Sequence, residues 1–61
     1  MKLGELTSVI TDGQEVAIVT ELGSAGLYRY PSKNDIAPMF LRGNVASVRV
    51  NKNNELIIEV R

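Results

Sequence analysis

Sixty-one residues make one domain, spanning 1–61, and leave no room for a second. With no Cys and no His, a disulfide is excluded, and the usual thiol nucleophile and general base are missing, so neither an enzyme nor a bound cofactor is expected. Seven basic and seven acidic side chains cancel, so no bulk attraction to nucleic acid or membrane is implied, and no apolar run approaches a membrane span of about 20 residues.

Leu3, Leu6 and Ile10 recur at intervals of three and four, with Val9 beside them, which predicts a short helix over 2–10. Gly4 and the β-branched Thr7, Val9 and Ile10 work against it. Thr11-Asp12-Gly13 ends it in a turn. The run from Glu15 to Glu21 then reads as a strand. Val16 and Ile18 lie on one face and Ala17 and Val19 on the other, so this strand belongs in the middle of a sheet. Residues 22–26, with Gly23 and Gly26, form a flexible hairpin connection; the stretch lacks the Gly-Lys-Ser/Thr ending of a phosphate loop. Leu27 to Tyr30 is a short strand stopped by Pro31.

Ser32 to Asp35 has the pattern of a capping box with Asp in place of Glu, but Ala37 precedes Pro38 and is pushed out of the helical region. The sequence therefore predicts a loop to Ala37, then one helical turn over Pro38–Leu41, with Gly43 at the C′ position. Met39, Phe40 and Leu41 cannot all face one way, so at least one is expected on the surface. The clearest signal is the C-terminal hairpin, in which two β-branched runs flank Asn51 to Asn54. The apolar sets Ala46, Val48, Val50 and Leu56, Ile58, Val60 must share a face. A two-residue loop would set Val48 opposite Ile57 and split the sets, whereas a three-residue loop, Lys52–Asn54, keeps them together. It sets Val48 opposite Ile58 and asks Asn54 for a left-handed backbone. The expected core is Leu6, Ile10, Val16, Ile18, Val48, Ile58 and Val60.

The fold class is thus α+β: a small antiparallel sheet of about four strands, a short N-terminal helix, one helical turn on the same face, and a C-terminal β-hairpin. Charge divides along the chain. Residues 1–26 are net −3, residues 27–54 net +4 and residues 55–61 net −1. Tyr28, Arg29 and Tyr30, with Lys33, Arg42 and Arg49, are the candidate nucleic-acid contacts, since tyrosines flanking a cation can stack bases. The plainer reading lays both tyrosines over the aliphatic core. Glu55 and Glu59 share a side of one strand about 13 Å apart, too far for a glycosidase pair, and read as its solvent face.

Three stretches carry a resemblance: Leu6 to Val19 with its Ile10-Thr11-Asp12-Gly13 turn, Pro38 to Val50, and Leu56 to Val60. Together they resemble small uncharacterised proteins encoded by phages and mobile elements of Gram-positive bacteria. The resemblance implies a bacterial or phage cytoplasmic setting and supplies no site residues. The expected function is a non-enzymatic accessory or interaction module acting through a protein partner or through self-association as a homodimer. The alternative is a weak nucleic-acid-binding module using the Tyr/Arg/Lys set. The strands ending at Pro31 and Arg61 are the expected open edges, and Ile57, facing away from the core, is the expected dimer contact.

Overall fold

The computed structural model describes residues 1–21 and 25–61, so the connection expected at 22–26 lies largely outside the described residues. In chain order the elements are helix α1 (Leu3–Thr7), strand β1 (Val16–Thr20), strand β2 (Gly26–Tyr30), a 3₁₀ turn (Lys33–Asp35), helix α2 (Pro38–Leu41), strand β3 (Val45–Val50) and strand β4 (Leu56–Val60). The α+β class, the four strands, the helical turn at 38–41 and the terminal hairpin are those the sequence indicates.

Helix α1 stops at Thr7 because its own side chains compete for its carbonyls. The Thr7 hydroxyl donates to the Gly4 carbonyl at 2.9 Å, and the Ser8 hydroxyl to that of Glu5 at 2.7 Å. At the other end the Glu5 carboxylate accepts from the Lys2 backbone N–H at 2.9 Å, one half of a capping box. The chain then winds on through Val9 and Ile10, which sends Ile10 inward and leaves Val9 78% exposed. The turn that follows has Gly13 at φ +87°, which only glycine adopts cheaply, and closes with Gln14 N–H donating to the Thr11 carbonyl. Ser32 caps the 3₁₀ turn by accepting from the Asn34 N–H, giving order to a stretch expected as loop.

The sheet order is β2-β1-β4-β3. Strands β1 and β2 are antiparallel, as are β3 and β4, but the central pair β1 and β4 is parallel. The sheet is therefore mixed, a correction to the wholly antiparallel expectation. The cause is the connection 31–44. It runs over one face and delivers β3 to the far edge pointing the same way as β2; a crossover of this kind takes about a dozen residues or more. The hairpin then folds β4 back between β3 and β1. So β4 is central, not an open edge, and the edges are β2 and β3.

All the helical pieces lie on one face. Leu3, Ile10, Ile36 and Phe40 pack there against Val16, Ile18, Ile58 and Val60, with Leu6 half-buried at the margin. The hairpin register pairs Val48 with Ile58 and Val50 with Leu56, and Asn54 stands at φ 62°, as the sequence requires. Two expectations fail along β3. A bulge between Val45 and Ser47 breaks the alternation, so that Val45 and not Ala46 stands opposite Val60. Val48 shares the core face but is 46% exposed, because β3 lies beyond the helical cover.

Candidate interaction surfaces

The face of the sheet opposite the helices is closed by charge. Across it run Arg29, Ala17, Ile57 and Arg49 on successive strands. The Arg29 Nε reaches Glu55 Oε2 at 3.1 Å, although β1 lies between their strands. It crosses β1, where Ala17, directly opposite Arg29 in the register, presents only a methyl group. Glu55 is buried, and Asn51 satisfies the rest of it: the amide Nδ2 donates to Oε1 at 3.0 Å, and the Glu55 N–H donates to Asn51 Oδ1 at 2.9 Å. Beneath these side chains Ala17 is fully covered and Ile57 is 7% exposed.

At the other end of β4, Glu59 accepts from the Ser47 hydroxyl at 3.2 Å and from Arg61 Nη2 at 2.8 Å. The Arg61 hydrogen bond and charge hold the Glu59 carboxyl below the ordinary carboxylate range, with Ser47 and the charge of Arg49 adding to it. Glu59 in turn raises the Arg61 guanidinium. A depression of about 260 Å³ opens beside this pair, at the ends of β1 and β4. Both signs of charge line it, and its cation, Arg61, is already engaged by Glu59.

The six candidate nucleic-acid residues are not gathered on one surface. Tyr28 and Tyr30 stand opposite Ile18 and Val16, on the helix-covered face, and pack against the core. The Tyr28 ring meets Phe40 at a centroid distance of 5.0 Å. Arg29, between them in sequence, points to the opposite face because successive strand residues alternate. Lys33 lies on the 3₁₀ turn, half-buried, 3.9 Å from Asp12. Arg42 caps the C-terminus of α2 and is exposed. Arg49 lies on the charged face and makes no hydrogen bond or ion pair among the described residues; Arg29 is the one of the six that joins it there. Ile57 is on that face as expected, but with so little exposed surface it offers almost nothing to a partner.

What sequence reasoning missed is the edge of β3. The segment Met1–Leu3 pairs with the start of that strand: the Leu3 N–H donates to the Gly43 carbonyl at 2.9 Å and the Val45 N–H to that of Met1 at 2.8 Å. This leaves Ala46–Val50 at the margin of the sheet. The hairpin closes with the Asn51 N–H donating to the Glu55 carbonyl at 3.0 Å. In an antiparallel ladder bonded pairs alternate with unbonded ones, so Arg49 and Ser47 direct their backbone groups at β4, and Val48 and Val50 turn theirs outward. Both valines also expose their side chains, Val48 by 46% and Val50 by 60%. The β2 edge, by contrast, runs straight into Pro31.

Among the described residues no three acidic side chains gather closely enough to hold a metal ion, and no helix is long and apolar enough to cross a membrane. Comparison with family models, with curated proteins and with solved structures gives no match.

Proposed function

We propose that this chain is a non-enzymatic interaction module that offers the Ala46–Val50 edge of β3 to a protein partner. The observation that carries the reading is the coincidence, on one short strand, of outward backbone groups and two exposed valines on the same face. An unpaired edge recruits another chain through its backbone, and apolar side chains beside it add buried area. The sequence supports the non-enzymatic part, since neither His nor Cys is present to act as base or thiol nucleophile. The division of the six Tyr, Arg and Lys candidates between two faces weighs against the nucleic-acid alternative, which needs cations and stacking rings on one surface. The setting we propose is the cytoplasm of a bacterial or phage-infected cell, in keeping with the sequence resemblance and the lack of cysteine.

The test is a comparative capture from a bacterial lysate using the wild-type chain and a Val48→Lys, Val50→Lys variant as baits. Protein retained by the first and lost from the second carries the reading. An identical set on both baits, with an untagged copy of the chain added to the lysate also retained equally by both, sinks it. Titration of fluorescent single- and double-stranded DNA and RNA at low salt should show no binding. Binding that weakens on removal of Arg29 or Arg49 would favour the nucleic-acid alternative.

A further inference from the structure

We infer that the partner of the β3 edge is a second copy of this chain, paired antiparallel about a two-fold axis at Val48. This rests on the edge-binding reading above and names its occupant. The stretch that is open, Ala46–Val50, is bounded by the Met1–Leu3 segment on one side and the Asn51–Glu55 turn on the other, and its midpoint is Val48. Val48 turns its backbone groups outward, so two copies can exchange both bonds of a Val48–Val48 pair. Val50 then stands beside Ala46 of the second copy. Centring the pair one residue later, on Arg49, would set two arginines directly opposite each other, which disfavours it.

Chemistry on the two faces fits the same register. On the helix-covered side, the half-exposed Val48 side chains meet across the axis. On the charged side, Arg49 comes opposite Ser47 of the second copy. The hydroxyl of that serine donates to Glu59. Two strand spacings separate Arg49 from this Glu59, roughly 10 Å between backbones, which an arginine and a glutamate can span. Arg49, which acts on its own Glu59 through charge but makes no ion pair among the described residues, thus gains one in the pair, twice by symmetry. The two four-stranded sheets become one of eight strands. The contact is short, five residues a side, and belongs with small, reversible interfaces.

Because the chain contains no cysteine, single substitutions report the register directly. Val48→Cys would place two thiols on a bonded pair with Cα atoms about 5.5 Å apart, inside the range a disulfide spans. Val50→Cys would set them four residues out of step, roughly 14 Å apart, outside it. Under a mild copper–phenanthroline oxidant, Val48→Cys should cross-link rapidly and Val50→Cys should stay uncross-linked while still associating. Sedimentation equilibrium of the wild-type chain should show a rise from the 6.7 kDa monomer toward twice that mass as concentration increases. Val48→Lys, with like charges opposed at the axis, should weaken the association by about tenfold or more. A monomer at every concentration overturns the proposal, as does faster cross-linking of Val50→Cys or a dimer indifferent to Val48→Lys. Those results leave edge binding to other proteins standing; that reading falls only with the comparative capture.

Discussion

At the scale of single residues, Asn54 and Glu55 are neighbours with opposite histories. The left-handed backbone of Asn54 follows from the apolar pattern alone, since a three-residue loop aligns the two valine-rich runs and a two-residue loop splits them. Asn54→Gly should therefore be neutral or slightly stabilising, and Asn54→Val should cost about 1–2 kcal/mol, because a β-branched residue is poorly tolerated at φ 62°. Urea midpoints check both; equal stability of the two variants would contradict the turn. Glu55, by contrast, reads in the sequence as a solvent-face carboxylate and is buried. Its partner Arg29 lies 26 residues away and reaches it across β1, a contact with no local signal. Glu59 carries a further prediction. Its carboxyl is held below the ordinary value of 4.5, so above that pH its contribution to stability is fully present. As pH falls below 4.5 the unfolded chain takes up the proton first, and the contribution is lost as pH passes through the depressed folded value. Glu59→Gln should flatten the pH dependence of the melting temperature in that window. Identical acid profiles for the variant and wild type would show that the Arg61 and Ser47 contacts do not persist in solution.

At the scale of elements, periodicity located every strand and misjudged how some of them are covered. Helix α1 is shorter than its apolar stripe because Thr7 and Ser8 turn their hydroxyls back on its carbonyls, a choice that apolar spacing does not record. Strand β3 alternates in sequence without fault, yet the bulge at Ala46 shifts its first residue to the other parity. A bulge is a property of the pair of strands and is invisible in either one. The burial of Val48 was inferred from its shared face with Ile58, and that face is correct; what the alternation cannot tell is where helical cover ends. Ala17 shows the reverse case. Its place on a two-sided apolar strand was legible, but the reason a methyl is wanted there was not. A larger side chain would lift Arg29 away from Glu55 and leave that buried carboxylate with Asn51 alone. Ala17→Leu should destabilise by about 1–3 kcal/mol by overpacking, despite adding apolar surface to a sheet face with no helix on it. Chemical denaturation decides the matter, and unchanged or increased stability would mean that Arg29 does not lie over Ala17.

At the scale of the whole molecule, the class and the hairpin were legible, and the parallel centre was not. Nothing in a strand's own residues says whether its neighbour runs with or against it. That follows from the path of residues 31–44 over one face, which local patterns do not encode. The consequence is that β4, the last element, is locked between β1 and β3, and Ile58 is fully buried at the middle of the molecule. Ile58→Ala should cost about 2–5 kcal/mol. A domain below about 70 residues without a disulfide rarely has more than 3–5 kcal/mol in hand, so that variant should be largely unfolded by circular dichroism. A retained cooperative transition near the wild-type temperature would refute the assignment of the core. The same narrow margin makes association matter. A partner that binds only the folded chain stabilises it by mass action, by about 2.7 kcal/mol when its concentration is a hundred times the dissociation constant. In a domain of this size each kcal/mol moves the melting temperature by roughly 4–8 °C. If two copies pair along β3, the melting temperature of the wild-type chain should climb by several degrees over a hundredfold rise in its own concentration. Val48→Lys should rise less, and only at concentrations about tenfold or more higher, from the melting temperature of the dilute wild type, because Val48 is half-exposed and its replacement weakens the pairing without opening the core. Calorimetry across that concentration range measures both. A wild-type melting temperature independent of concentration would mean that this small sheet holds its fold without drawing on its own edge.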